Sequence, residues 1–298
     1  MDENKTQGRG RGTTRTRLLM EFRDYQEEII GKGTDVIAQH GFVYLAMEVR
    51  TGKTLTIAKI VQQLRSNGKT VLLSCFTHRA IDELIRKLEM YAPEVEFYRI
   101  GRKSSSANCI EKDYLDVENI DFEIKKIKEN IDKKSVYIGT TYAWLSGKYN
   151  KLIGENSYDV AIMDEASQMI IPNSIGIIGL VKSFILVGDH FQQPPVIQNP
   201  RAKDLSKTLF QALFENKNLP DSTKVMLNVQ HRMNPVIGDF ISKTFYANQL
   251  KNNESLKFNK LYEGIEKPST ISKICDPEDI ITLVHTENHN HTVVGKSL

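Results

Sequence analysis

The first residues whose types and spacing suit chemistry lie between an apolar run and a helical pattern. Five consecutive residues form a candidate phosphate-binding loop: Arg50, Thr51, Gly52, Lys53 and Thr54. In such a loop backbone N–H groups surround phosphates, the lysine reaches the terminal ones, and the threonine hydroxyl binds Mg²⁺. Met47 stands where the complete eight-residue pattern begins with glycine. The Gly-Lys-Thr triplet alone is equally compatible with a plain helix start.

Two adjacent carboxylates, Asp164 and Glu165, form the second candidate group. They follow the apolar run 158–163, and open α/β sheets bind ligands at the carboxyl ends of their strands. One carboxylate can hold Mg²⁺ while the next orients or deprotonates an attacking water, as phosphoryl transfer requires. The alternative is structural, because acidic residues also cap helices and favour their first turn.

A third polar group follows another apolar run. Residues 184–187 lead into Gly188-Asp189-His190-Phe191-Gln192-Gln193-Pro194-Pro195, which predicts a strand that ends in a proline-restrained polar loop. Gly, Asp and Pro are also common turn residues, so a plain turn is the alternative interpretation.

The elements that must position these groups alternate along the chain. From Glu21 onward, apolar runs of strand length alternate with helical patterns, so the predicted fold class is α/β with a parallel sheet. The predicted strands are 42–46, 71–76, 95–100, 136–139, 160–163 and 184–187, and a helix is predicted from Lys53 to about Leu64. Residues 103–134 break this rhythm and predict a surface insertion with one amphipathic helix.

Composition excludes several classes of protein. The 298 residues are 40% hydrophobic and 26% charged, as in a globular protein, and no run approaches the ~18 apolar residues of a membrane span. Three scattered cysteines and no export signal favour a reducing, cytoplasmic location. The net charge of +3 is contained in residues 1–20, a basic tail that either contacts phosphates or is simply solvated.

Three motifs occur in the order found in superfamily 1 helicases. Asp164-Glu165-Ala166-Ser167-Gln168 resembles the second motif of that family, and the loop 188–195 resembles its third. Val229-Gln230-His231-Arg232-Met233-Asn234-Pro235 resembles the fourth, and Phe245-Tyr246 follows it. The resemblance covers roughly residues 22–250. It is to the 5′-to-3′ subgroup, which includes the nonsense-mediated decay helicase and the helicase-nuclease of Okazaki-fragment processing.

This resemblance implies a RecA-like P-loop ATPase that uses ATP and Mg²⁺. The implied cofactor contacts are Gln26 for adenine, Arg50, Thr51, Gly52, Lys53 and Thr54 for phosphates, and Thr54 with Asp164 for Mg²⁺. Glu165 would position and activate the attacking water. Gln192 would sense the γ-phosphate, and Arg232 would stabilise transition-state charge from a second domain, as an arginine finger does.

Single-stranded DNA or RNA is the partner that the resemblance implies. Residues 74–82 resemble a motif whose polar residues, here Thr77 and His78, touch backbone phosphates. Gly139-Thr140-Thr141-Tyr142 resembles the motif before the acidic pair, with Thr140 and Thr141 as contacts. Backbone contacts ignore base sequence, as a motor that moves along any sequence requires. The alternative is that these are polar residues that end buried strands.

Domain organisation departs from the family pattern. The phosphate loop is closer to superfamily 2 and Swi/Snf-type loops, and a turn cluster at 218–222 predicts a boundary between a RecA-like domain (21–218) and a partial second one (219–298). The 79 residues from Pro220 to Leu298 are too few for a second domain of ~150, so we expect a truncated chain or another chain that completes the site. The competing functions are a Swi/Snf-type duplex translocase and a non-catalytic nucleotide- or nucleic-acid-binding module.

Overall fold

The computed structural model describes residues 24–47, 52–100, 114–115, 136–146, 158–197, 199, 201, 206–254 and 256. Three predicted features lie outside these ranges: the basic tail at 1–20, the amphipathic helix of the insertion at 103–134, and the part of the predicted second domain beyond residue 256.

Ten strands occur in the described ranges. Their bounds are β1 Phe42–Met47, β2 Val71–Cys75, β3 Phe97–Ile100, β4 Tyr114–Leu115, β5 Val136–Thr140, β6 Tyr158–Met163, β7 Val181–Gly188, β8 Lys224–Leu227, β9 Val229–Gln230 and β10 Lys251–Asn252. The first eight form one parallel sheet in the order β4-β3-β5-β2-β6-β7-β1-β8, and β9 pairs with β10 separately. β2 is buried along its whole length, as a parallel sheet covered on both faces requires.

Helices cover both faces of the sheet. Their bounds are α1 Asp24–His40, α2 Lys53–Ser66, α3 His78–Tyr91, α4 Thr141–Leu145, α5 Ile171–Ile178, α6 Leu209–Glu215 and α7 Pro235–Phe245. Successive β2 residues alternate between two apolar clusters, because side chains of a strand point to opposite faces. Leu73 packs with residues of α1, α2 and α3, whereas Leu72 packs with residues of α4, α5 and α6. Among the described helices, none combines the length and apolar character of a membrane span.

The order of the strands determines which loops meet. Because the strands are parallel, the carboxyl ends of β1, β2, β5, β6 and β7 lie at one edge of the sheet. β7 lies between β1 and β6, so the strands that precede the candidate phosphate loop and the acidic pair flank the strand that leads to the polar loop. The predicted fold class, α/β with a parallel sheet, is confirmed.

The strand that follows the predicted domain boundary belongs to the large sheet. β8 pairs with β1 from Tyr44 opposite Lys224 to Met47 opposite Leu227, and the Leu227 side chain is fully buried in the core. β8 lies beyond the predicted boundary at 218/219 and yet pairs with a strand that precedes it. The division into a domain at 21–218 and a partial second domain at 219–298 stays a prediction.

Candidate active site

Gly52 ends the candidate phosphate loop in a left-handed conformation, with φ 88° and ψ 29°. Glycine adopts this conformation at least cost because it has no Cβ. α2 begins at Lys53 and runs for 14 residues, so its unpaired N–H groups and the positive end of its dipole lie beside the loop. Thr54, the second residue of α2, is partly buried. Three predicted contacts lie outside the described parts of the structure and stay predictions: Arg50, Thr51 and the side chain of Gln26.

Asp164 and Glu165 form a tight turn at the carboxyl end of β6. Asp164 is 7% exposed, and its N–H donates to the Ser74 carbonyl at 2.8 Å. Glu165 has φ 56° and ψ 36°, a left-handed conformation that residues with a side chain rarely adopt. The Glu165 N–H donates to Asp164 Oδ1 at 2.9 Å, which holds this turn. Backbone strain of this kind clusters at functional sites, where it sets the direction of a side chain.

The turn brings Glu165 to the start of α2. Lys53 Nζ donates to Glu165 Oε1 at 2.5 Å, and the two side chains are 15% and 25% exposed. Gln168 Nε2 approaches the other carboxylate oxygen, Oε2, at 3.4 Å. Two groups that are 112 residues apart in sequence therefore meet in one partly buried ion pair.

Asp164 occupies a setting that suits a divalent cation. Burial raises the pKa of its carboxyl to about 6, with Lys53 acting to lower the pKa and Glu165 to raise it. A bound cation would stabilise the charged carboxylate in this buried position. Mg²⁺ is commonly held by one or two carboxylates together with phosphate oxygens and water. The oxygen donors of Asp164 and Thr54 fit this pattern, and no cluster of three or more His, Cys, Asp or Glu suited to a metal occurs among the described residues.

The loop after β7 is organised by the buried carboxylate of Asp189, which is 2% exposed. Gln192 Nε2 donates to Asp189 Oδ2 at 2.9 Å, and the Phe191 N–H donates to Oδ1 at 3.0 Å. A Cβ at Gly188 would meet the Ser167 nitrogen at 2.9 Å, so the loop packs tightly on the turn after β6. Only Gln192 was predicted as a site residue. The sequence signal that could have identified Asp189 is its place at the start of a polar turn, where its side chain can accept hydrogen bonds from backbone N–H groups.

Gln230 organises the segment that carries Arg232. Gln230 is fully buried, and its Oε1 accepts from the backbone N–H groups of Arg232 at 2.9 Å and Met233 at 2.7 Å. Its Nε2 donates to the Met233 carbonyl at 3.0 Å and to Asn252 Oδ1 at 2.6 Å. Both acceptor positions and both N–H donors of the amide are thus engaged. Arg232 itself is exposed at the surface of this turn.

The predicted nucleic-acid contacts divide into exposed and buried residues. Thr77 and His78 are exposed, and Thr77 Oγ1 also caps α3 by accepting from the Ala80 N–H at 3.2 Å. Thr140 is 8% exposed and caps α4. Thr141 is fully buried.

The Thr141 side chain faces the core, and its predicted contact with nucleic acid stays a prediction. Its hydroxyl lies 3.1 Å from Ser74 Oγ and donates to the Cys75 carbonyl at 3.4 Å, so it links β2 to the end of β5. The exposed side chain of this turn is Tyr142, of which 62% is accessible to solvent. Sequence spacing could not show that Thr141 is buried and Tyr142 exposed, because burial depends on which way each side chain faces in the fold.

Two family models match the chain. One, described as type III restriction enzyme, res subunit, matches residues 19–188, and the other, described as an AAA domain, matches residues 205–297.

Curated relatives are DNA-processing enzymes. DNA replication ATP-dependent helicase/nuclease DNA2 of Gallus gallus is 33% identical over 80% of this chain and 24% of that protein. DNA replication ATP-dependent helicase/nuclease JHS1 of Arabidopsis thaliana is 33% identical over 67% of this chain and 14% of that protein. The chain thus spans a quarter or less of the length of these relatives. Among solved structures, a complex of Arterivirus nonstructural protein 10 (helicase) with DNA matches at 14% identity and a TM-score of 0.45, over 78% of this chain and 47% of that one.

Proposed function

The chain belongs to the type III restriction enzyme res subunit family and to the superfamily 1 helicase-type ATPases, and from this we propose that it hydrolyses ATP with Mg²⁺ to move along single-stranded DNA or RNA. The observation that carries the proposal is the 2.5 Å contact of Lys53 with Glu165 beside the buried Asp164. A helix N-terminus, a lysine and two carboxylates then meet at the carboxyl edge of a parallel sheet, where such sheets bind ligands.

Each residue has a separate task in the proposed hydrolysis. Lys53 exchanges its contact with Glu165 for the terminal phosphates, which frees the Glu165 carboxylate to orient the attacking water and accept its proton. Asp164 and Thr54 hold Mg²⁺, which when bound neutralises charge on the phosphate oxygens. Gln192 contacts the γ-phosphate through its amide.

The remaining cofactor contacts complete the proposed ATP site. Arg50, Thr51 and Gly52 surround the phosphates with backbone N–H groups, and Gln26 reads the adenine edge. Arg232 stabilises charge that develops on the transferred phosphoryl group. Because Arg232 lies beyond β8, in the predicted second domain (219–298), its approach depends on closure of that domain.

Single-stranded nucleic acid is proposed to cross the carboxyl edge of β2 and β5. The exposed Thr77 and His78 contact its phosphates, and Thr140 contributes through the backbone of the turn that it caps. Such contacts carry no base specificity, which suits a motor. A cytoplasmic location rests on cysteine usage and stays a prediction.

Steady-state ATP hydrolysis by the full chain, with and without single-stranded DNA or RNA, tests the proposal. We expect Mg²⁺-dependent turnover that rises with single strands and is lost in Lys53→Ala. ATP binding without turnover above the Lys53→Ala level would instead support a non-catalytic binding module. Stimulation by duplex and not by single strands, without strand displacement, would support a Swi/Snf-type translocase.

A further inference from the structure

The buried carboxylate of Asp189 joins two segments that are far apart in sequence. Asp189 Oδ2 accepts from Gln192 Nε2 at 2.9 Å and from the Tyr246 hydroxyl at 2.6 Å. Both members of the longer-range contact are buried, with Asp189 2% and Tyr246 4% exposed. A hydrogen bond to a charged acceptor in such surroundings is stronger than one between neutral groups. The tyrosine therefore restrains the same oxygen that restrains Gln192.

A ring contact fixes Tyr246 on the same loop. The rings of Phe191 and Tyr246 meet edge to face, with centroids 4.9 Å apart at 79°. This geometry is favoured for aromatic pairs. The loop after β7 is thus held from the side of Tyr246 by a hydroxyl and by a ring.

Tyr246 also belongs to the segment that carries Arg232. It directly follows α7, which begins at Pro235, three residues after Arg232, and its N–H donates to the Ser242 carbonyl at 3.0 Å. The start of α7 is linked to Gln230 through Asn252. Asn252 Oδ1 accepts from Gln230 Nε2, and Asn252 Nδ2 donates to the Pro235 carbonyl at 3.1 Å. α7 therefore connects the Arg232 turn to the loop of Gln192.

We propose that Tyr246 is a positioning residue that, through Asp189, holds the Gln192 amide in the orientation that recognises the terminal phosphate of a nucleoside triphosphate. This inference rests on the proposed function, because it assigns the γ-phosphate to Gln192. An amide nitrogen has two N–H donors. Asp189 engages one of them, which leaves the second for a phosphate oxygen. Without the tyrosine hydroxyl the carboxylate gains rotational freedom, and Gln192 gains it too.

Tyr246→Phe tests the proposal because it removes the hydroxyl and keeps the ring. We expect kcat for ATP to fall about tenfold and KM to change less than about threefold. The expected size is that of losing one hydrogen bond to a charged group, here because Gln192 is no longer held toward the phosphate. The affinity ratio of a non-hydrolysable triphosphate to ADP should fall by a similar factor. The matched control is Tyr158→Phe, since the buried Tyr158 hydroxyl has no hydrogen-bond partner among the described residues. We expect Tyr158→Phe to leave kcat and the affinity ratio unchanged.

A double-mutant cycle separates positioning from general stability. If Tyr246 acts through Gln192, adding Tyr246→Phe to Gln192→Ala changes kcat no further, whereas independent effects would multiply. Tyr246→Phe values equal to those of Tyr158→Phe, or full multiplication in the double variant, overturn this inference and leave the ATPase proposal intact. If the wild-type chain binds nucleotide but does not hydrolyse it, the affinity ratio of the non-hydrolysable triphosphate to ADP in Tyr246→Phe tests the inference instead of kcat. A wild-type chain that binds no nucleotide overturns both proposals.

Discussion

At the scale of single residues, the contact between Lys53 and Glu165 carries the most information. A partly buried ion pair of this geometry is costly to break one partner at a time, because the other charge is then left without compensation. In the proposed function, phosphates provide that compensation for Lys53, so nucleotide binding and release of Glu165 are coupled. The left-handed backbone of Glu165 keeps its carboxylate at the sheet edge.

Glu165→Gln separates the binding role of this pair from its chemical role. The amide keeps the shape of the side chain but cannot accept a proton, so we expect ATP turnover to fall about 10²- to 10⁴-fold. Affinity for Mg²⁺·ATP should be retained or increased, because Lys53 no longer has to leave a carboxylate. Steady-state turnover and equilibrium binding of a fluorescent ATP analogue measure the two effects. Glu215→Gln, at an exposed carboxylate of α6, is the matched control; turnover retained in Glu165→Gln would remove Glu165 from the chemistry.

At the scale of elements, Asp159 fastens the start of β6 to the chain that enters β2. Its Oδ2 accepts from the Thr70 N–H at 2.9 Å and the Thr70 hydroxyl at 3.0 Å, while Lys182 Nζ lies 2.9 Å from Oδ1. The Asp159 N–H in turn donates to Thr70 Oγ1 at 2.9 Å. These bonds set the register of two central strands whose other ends carry Ser74 and Asp164.

The pH dependence of stability tests whether the hydrogen bonds of Asp159 hold these two strands together. Burial acts to raise the pKa of Asp159, but the hydrogen bonds from Thr70 and Lys182 outweigh it and lower the pKa below the ordinary value. Stability from this group is therefore present above the unfolded-state pKa of ~4 and is lost as pH falls through the lower folded-state value. We expect Asp159→Asn to reduce the free energy of unfolding by about 1 kcal/mol at pH 7, less as pH falls below ~4.

Urea unfolding from pH 7 to pH 3 measures this difference. Lys182→Ala is the matched control, because Lys182 is 63% exposed and an exposed ion pair contributes little to stability. If Lys182→Ala is as destabilising as Asp159→Asn, the ion pair and not Thr70 holds the strands.

The elements were largely predictable because their signals are local. β2 and β5 were located within one residue, since each is a short, buried apolar run. The predicted strand 184–187 lies inside the longer β7, whose first residues include the exposed Lys182 and so lack a continuous apolar signal. The proximity of Lys53 to the acidic pair was predictable because the carboxyl ends of parallel strands share an edge.

Non-local contacts were the part that the sequence could not reveal. The bond between Asp189 and Tyr246 spans 57 residues and depends on how α7 lies against the loop after β7. The burial of Thr141 depends on its facing Ser74 of a neighbouring strand. Neither contact leaves a periodicity or a spacing in the sequence, so only the fold identifies them.

At the scale of the molecule, β8 bears on where the first domain ends. β8 is an edge strand of the large sheet and covers β1, the strand that leads to the phosphate loop. Without β8, β1 would become the edge and expose a row of unpaired backbone groups, which is a template for association between chains. The buried Leu227 would also be lost from the core that α1, α2 and α3 share.

Truncation tests the predicted domain boundary at residue 218. A chain that ends at residue 218 lacks β8, whereas a chain that ends at residue 254 keeps β8, α7 and the pair of β9 with β10. We expect the longer chain to melt cooperatively, and the shorter one to melt several degrees lower or to aggregate, because removal of a buried leucine alone costs about 2–5 kcal/mol. Calorimetry and light scattering at matched concentration measure this. Equal melting temperatures with both chains monomeric would mean that β8 is an appendage and that residue 218 is the true end of the domain.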